Sequence, residues 1–147
     1  MNTSFIQLFT RFAVATAFLS AVADRFGYWG APGSADVVWG NWENFVAYSN
    51  QLNFFAPTWA GIFFAVSATV LEVLLAILLL IGYRIRLAAI GSGVLLVLFA
   101  LSMTLSLGIK STFNYSVWVG VSACFLLASI PTYLYSIDHY LAKKRQD

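Results

Sequence analysis

Glu72 is the residue in this sequence whose type and position most strongly suggest chemistry. It lies alone in the middle of an apolar run, residues 59–82, that is otherwise long enough to cross a bilayer, for which about 20 apolar residues are needed. An ionisable group near the centre of a span costs roughly 3 kcal/mol on insertion scales, so it indicates a functional site and needs a partner. Arg11 is the best candidate, since it is the only other ionisable residue well inside a predicted span.

The elements that must position this pair are membrane helices. The chain has 147 residues, of which 61% are hydrophobic and 10% are charged, whereas soluble domains are typically about 25% charged. Four apolar runs account for this bias, at about residues 5–26, 57–82, 87–109 and 116–137. We therefore expect an all-α, antiparallel bundle of four transmembrane helices that forms a single membrane domain over residues 1–147. Ala21-Val22-Ala23 would also suit a signal cleavage site, but no basic region precedes it, and a retained first span is favoured.

Depth and helix faces support a contact between Glu72 and Arg11. At about 1.5 Å per residue, Glu72 lies about 15 Å from the end of its span near Gly82, and Arg11 about 9 Å in from Phe5. A long arginine side chain can bridge the difference of about 6 Å between antiparallel neighbours. Glu72 also falls on the small-residue stripe of its helix, which predicts that it faces the bundle rather than lipid. The pair is either a ligand-binding site or a buried ion pair that fixes helix register.

The basic residues predict the orientation. One side of the bundle would carry Arg84, Arg86, Lys143, Lys144 and Arg145, and the other only Arg25 and Lys110. The positive-inside rule then places both termini in the cytoplasm. We interpret these residues as topology anchors, with no role in binding nucleic acid. Asp24 and Arg25 are interpreted as anchors at the outer interface, with a second polar site as the alternative.

The connection 27–56 is long and rich in aromatic residues, which is unlike a disordered linker. Glycine and proline make its first part irregular. Ser34 or Asp36 would then cap a helix, so that residues 36–52 form either a helix or paired turns. Because Trp and Tyr prefer the headgroup region, we expect this helical segment to lie in the outer interface between the first two spans. It would either anchor the protein there or gate a ligand site.

A small-ligand site is usually an apolar cavity with a few convergent polar groups. We therefore predict a pocket whose floor lies near Glu72. Its other lining residues would be aromatic rings above and neutral hydrogen-bonding side chains beside it: Trp39, Trp42, Trp59, Thr69, Ser102 and Thr104.

The sequence offers little for other chemistry. The single cysteine, Cys124, cannot form an intramolecular disulfide or a C-x-x-C pair. The single histidine, His139, excludes a bis-His haem within one chain and a multi-histidine metal site. We predict no metal and no intrinsic cofactor, so that electron transfer would require a bound quinone or the cofactor of a partner.

Several short motifs resemble the DoxX family. Four features occur in order along the first part of the chain: Arg11, the run Ala23-Asp24-Arg25-Phe26-Gly27, Glu72, and the run Leu78-Leu79-Leu80-Ile81-Gly82-Tyr83-Arg84-Ile85-Arg86. Two later motifs look like the DoxX-like branch of the family: Leu107-Gly108-Ile109-Lys110 and Asn114-Tyr115-Ser116. The resemblance covers most of the chain from Arg11 to about Ala128. It implies a four-span protein of the bacterial inner membrane, related to subunits of thiosulfate–quinone and quinol oxidoreductase systems or of thiol-stress complexes.

Three function classes follow. The first is an accessory subunit of a quinone-linked membrane redox system that binds a lipophilic ligand. The second is a non-catalytic membrane scaffold or chaperone-like partner, and the third is a small proton-coupled transporter with one membrane glutamate. The expected partners are the lipid bilayer and membrane redox subunits, and a homo-oligomer stays open.

Overall fold

The computed structural model describes residues 3–144, so Arg145 of the predicted basic tail lies outside the described residues. The regular secondary structure of these described residues is entirely helical. Its helices are α1 (Thr3–Arg25), α2 (Trp42–Leu52), α3 (Thr58–Ile81), α4 (Ile85–Leu107), α5 (Ile109–Asn114), α6 (Val117–Ser129) and α7 (Ile137–Lys144).

Three of the predicted spans are confirmed as helices of membrane-spanning length. α1, α3 and α4 are each long and apolar enough to cross a bilayer. The short turn between α3 and α4 depends on Gly82, which ends α3 with a left-handed backbone (φ 72°). The amides of Gly82 and Tyr83 both donate to the Leu78 carbonyl, a helix ending that favours glycine. α3 and α4 therefore form an antiparallel hairpin.

The fourth predicted span, residues 116–137, is not one continuous helix. α6 contains 13 residues and is shorter than the roughly 20 that a straight span needs. It ends at Ser129 because Pro131 disfavours a helical conformation at the residue before it. The short helix α5 precedes it, and Ser116 joins the two with a left-handed backbone (φ 52°). A bundle of four complete spans is thus an expectation that the fold supports only in part.

The aromatic helix between the first two spans exists but starts later than predicted. α2 begins at Trp42 rather than near Asp36, and its cap is Asn41, whose side chain accepts a hydrogen bond from the Asn44 amide at 2.8 Å. Gly40 has a left-handed backbone (φ 67°), so a helix cannot run through this position. The predicted caps at Ser34 and Asp36 are therefore wrong.

The helices close into a ring in which α1 packs on α3, α3 on α4, α4 on α6, and α6 on α1. Small residues allow close approach at these contacts, including the fully buried Ala15, Ala76 and Ala89. α2 lies against the first turns of α3, where the Ser49 hydroxyl donates to the Gly61 carbonyl at 2.9 Å. The outer faces of the long helices expose large apolar side chains such as Phe63, Leu74 and Leu105. This surface is typical of a membrane protein.

Candidate functional site

The centre of the site is an ion pair between the end of α1 and the middle of α3. Nη2 of Arg25 donates to Oε1 of Glu72 at 2.9 Å, and Nη1 lies 2.5 Å from Oε2. Both side chains are 2% exposed. The prediction that Glu72 faces into the bundle is therefore confirmed. One charge-assisted hydrogen bond and one close ionic contact hold the guanidinium against the carboxylate and compensate both charges.

Thr69 completes the polar side of this pair. Nη1 of Arg25 also donates to the Thr69 hydroxyl at 2.8 Å, and that hydroxyl in turn donates to the Ala65 carbonyl at 2.8 Å. Thr69 lies one turn before Glu72 on α3, which brings both acceptors to the same face of the helix. α3 thus provides an acceptor for each terminal nitrogen of the guanidinium.

Aromatic rings cover the Arg25 guanidinium. Its central carbon lies 3.9 Å from the ring centroid of Phe45 and 5.4 Å from that of Trp39. The two rings meet each other edge to face with centroids 5.0 Å apart. A cation over an aromatic face gains about 2 kcal/mol when water is excluded. The aromatic segment between α1 and α3 therefore stabilises the charge of Arg25 where it enters the apolar bundle.

Asp24 holds Trp39 in this position. Its Oδ2 accepts hydrogen bonds from the backbone amides of Val38 at 3.1 Å and Trp39 at 2.9 Å. Asp24 and Arg25 are adjacent at the last turn of α1, so one residue fixes the irregular loop and the next reaches Glu72. The two residues that we predicted to be interface anchors are thus buried parts of the site.

The site lies beside a cavity of about 1210 Å³. Most of its wall is apolar and comes from α1, α3, α4 and the beginning of α6, including Ala17, Phe64, Phe99 and Val119. Its polar lining includes Asp24, Arg25, Asp36, Trp39, Tyr48, Glu72 and Ser102, together with other neutral polar residues. Small-molecule sites usually enclose about 300–1,000 Å³, so this cavity can hold a ligand with a sizeable apolar part.

Tyr48 contributes a neutral phenol to this lining. Burial raises the pKa of Tyr48, and the nearby Tyr115 phenol raises it further. Tyr48 therefore stays protonated at neutral pH and can donate a hydrogen bond. Within residues 3–144, no three His, Cys, Asp or Glu side chains come close enough together to hold a metal ion.

The predicted lining is right in part. Glu72, Trp39 and Ser102 line the cavity. The other four predicted residues are not part of its wall as described. Thr69 lies behind the ion pair and bonds to Arg25, and the Thr104 hydroxyl donates to the Ala100 carbonyl of its own helix. Trp42 stacks on Phe26, and Trp59 is 71% exposed on the outside of α3.

The predicted pairing of Arg11 with Glu72 is wrong. Arg11 is buried, but it donates to the carbonyls of Leu79 at 2.9 Å and Leu80 at 3.2 Å, and to that of Tyr135 at 3.2 Å. The last carbonyls of a helix lack partners within the helix and carry partial negative charge. The end of α3 therefore binds this cation without a direct ion pair to a carboxylate, at a point seven residues, or about 10 Å, from Glu72 along α3.

Arg25 is the residue of this candidate site that was not predicted from the sequence as the partner of Glu72. Its position at the end of the first span suggested an exposed anchor, but an arginine at a helix end can extend its side chain along the helix. The adjacent aromatic segment was the available signal, since Phe45 and Trp39 provide faces suited to a buried guanidinium.

Comparisons of the chain with models of protein families, with curated protein sequences and with solved structures give no match. The resemblance to the DoxX family therefore stays a prediction. The geometry of the cavity and of the Arg25–Glu72 pair is the basis for a functional proposal.

Proposed function

We propose that this protein binds a lipophilic molecule inside its helical bundle, with the polar head of the molecule beside Arg25 and Glu72. The observation that carries this proposal is the combination of a cavity of about 1210 Å³ and a fixed ion pair in its lining. Trp39 packs over the Arg25 guanidinium, and Asp24 and Tyr48 add further hydrogen-bonding groups to the lining of the same cavity. An apolar chamber with polar groups on one side matches a ligand with an apolar tail and a small head.

A quinone is the ligand class that we favour. Its tail would occupy the space between α1, α3 and α4, and its ring would lie near Trp39, where aromatic faces and hydrogen-bond donors are both close. In this role the protein would be an accessory subunit of a quinone-linked redox system, as the resemblance to the DoxX family implies.

We further propose that it lies in a bacterial inner membrane, that residues 109–136 complete a fourth crossing, and that both termini are cytoplasmic.

The energetics of the buried pair are consistent with a binding role. Burying two charges costs several kcal/mol per ion, and their mutual attraction often only balances this cost. Stability alone is therefore a weak reason for placing a glutamate in the middle of α3. A site that recognises a polar head inside the membrane supplies a stronger reason.

The test is the binding of decylubiquinone to the purified protein in nanodiscs. Wild type should bind, and Glu72→Gln should bind about tenfold more weakly because it removes the charge beside Arg25. Glu43→Gln is the matched control, since Glu43 is an exposed carboxylate on α2 and its change should have no effect. Equal binding by wild type and Glu72→Gln would remove Glu72 from the site. Absence of binding by wild type would favour a scaffold with a structural ion pair.

A further inference from the structure

The cavity lining contains buried polar atoms that have no hydrogen-bond partner. Among the described residues, these side-chain atoms are Oδ1 of Asp24, Nε of Arg25, Nε1 of Trp39 and Oε2 of Glu72. Oε2 of Glu72 lies 2.5 Å from Nη1 of Arg25 but is not aligned for a hydrogen bond. All four residues line the cavity.

Such atoms are uncommon in folded proteins, because most buried polar groups have a partner. Here they are concentrated in one cluster around the Arg25–Glu72 pair. Two of them, on Arg25 and Trp39, are donors, and two, on Asp24 and Glu72, are acceptors. A ligand head that satisfies both kinds must itself accept and donate hydrogen bonds.

The charges of the lining restrict the head further. Asp24, Asp36 and Glu72 contribute three carboxylates, and Arg25 is the one cation among the described lining residues. An acidic head would therefore meet an excess of negative charge, and the buried Asp24 would repel it more strongly than the exposed, solvent-screened Asp36. A purely cationic head would suit the charge but would leave the donors of Arg25 and Trp39 without acceptors.

We propose that the cavity selects neutral lipophiles whose head carries a hydroxyl group, such as a quinol or a long-chain alcohol, over acidic lipophiles with the same tail. The hydroxyl oxygen accepts a hydrogen bond from Trp39 or Arg25, and its O–H donates a hydrogen bond to Oδ1 of Asp24. This inference rests on the proposed function and specifies its ligand class. Asp36 acts as a charge filter, because its carboxylate adds negative charge to the lining while its side chain is exposed.

The experiment compares decyl-chain probes with different heads, bound to the full-length protein in nanodiscs of neutral phospholipid. The probes are decanol, decanoate, decyltrimethylammonium, and decylubiquinol with its quinone, the last two kept under anaerobic conditions. Decanol should bind about tenfold more tightly than decanoate because of the excess carboxylates. The quinol should bind more tightly than the quinone, which cannot donate. Comparison of the quinol with decanol distinguishes a ring-specific site from a general hydroxyl site.

Asp36→Asn tests the charge filter with little risk to the fold, because Asn tolerates the left-handed backbone at this position (φ 63°). Its affinity for decanoate should rise several-fold while that for decanol stays unchanged, and Glu43→Gln should alter neither. The proposal is overturned if decanoate or the ammonium probe binds as tightly as decanol, or if Asp36→Asn leaves the preference unchanged. If no probe binds, the proposed function fails as well; if all bind equally, only the selectivity is wrong.

Discussion

Arg25 at the end of α1 and Glu72 in the middle of α3 form a two-point contact, with Nη2–Oε1 at 2.9 Å and Nη1–Oε2 at 2.5 Å. This contact joins residues 47 positions apart in the chain. It brings the aromatic segment, the small-residue face of α3 and the cavity together at one place. The proposed ligand site therefore depends on the contact between Arg25 and Glu72.

The first prediction concerns the energy of this pair. Arg25→Leu and Glu72→Leu should each lower the free energy of unfolding by roughly 3–5 kcal/mol, because each leaves an uncompensated buried charge. The double variant should lose much less than the sum of the two. Equilibrium unfolding in mixed micelles measures the coupling.

Arg11 provides the control for this comparison of single and double variants, since it donates hydrogen bonds to backbone carbonyls near the end of α3. The effects of Arg11→Leu and Glu72→Leu should add to within about 0.5 kcal/mol, as is usual for sites without shared partners. Strong coupling of Arg11 with Glu72, together with additivity for Arg25, would contradict the observed pairing.

The second prediction concerns Arg11 itself. Its three nitrogens donate to carbonyls on α3 and in the segment before α7. Arg11→Lys keeps the charge, but a single ammonium cannot reproduce the three hydrogen bonds of the guanidinium. We expect the free energy of unfolding to fall by about 1–3 kcal/mol, because carbonyls are left without partners. Thermal unfolding in detergent measures it. Arg86→Lys, at an exposed position, should have no effect, and equal effects of the two changes would argue against the role given to Arg11.

The third prediction concerns the close packing at Gly82. A Cβ here would lie 2.5 Å from Nη2 of Arg11 and 2.6 Å from Cβ of Ser136. Gly82→Ala should lower the free energy of unfolding by about 1–3 kcal/mol from backbone strain alone, with more from the clash. Gly33 is the matched control because it also has a positive φ, 87°, but has nothing within 4 Å of the added Cβ. If the two alanine variants lose the same stability, the packing around Arg11 is looser than described.

The fourth prediction concerns the loop that Asp24 holds. Asp24→Ala removes the acceptor for the amides of Val38 and Trp39, which should cost about 1–3 kcal/mol if those amides stay buried. Limited proteolysis should then cut faster within residues 28–40. Glu43→Ala removes an exposed carboxylate from α2 and should leave the cleavage rate unchanged. Unchanged cleavage of the Asp24 variant would show that other contacts fix Trp39.

Much of the helical architecture could be predicted from the sequence, because α1, α3 and α4 are long apolar runs whose ends are marked by charge, glycine or proline. The burial of Glu72 also followed from its small-residue stripe. The partner of Glu72 could not be predicted in this way, since Arg11 and Arg25 lie about four helical turns apart on α1 and the alignment of α1 with α3 decides which of them reaches Glu72. Composition and span length do not determine that register; the carbonyls near the end of α3 that bind Arg11 do.

The interrupted fourth segment shows a second limit of the same reasoning. Hydropathy treats residues 116–137 as one run, but Pro131 and the left-handed Ser116 restrict the helix to Val117–Ser129. Likewise, the aromatic segment looked helical from Asp36, and the backbone at Gly40 delays its helix to Trp42. In both places, local backbone preferences limited a helix that the apolar pattern would have extended.

The central claim is that a lipophile binds inside the bundle beside Arg25 and Glu72, and photo-crosslinking tests it most directly. A decylubiquinone analogue with a diazirine on its ring would be irradiated with the protein in nanodiscs, and the adducts mapped by peptide mass spectrometry. Tandem spectra that assign each adduct to a residue should place adducts on Trp39, Phe45 and Glu72, and unlabelled decylubiquinone should suppress them. Adducts confined to outward-facing residues such as Val70 and Leu74, and insensitive to competitor, would contradict the claim.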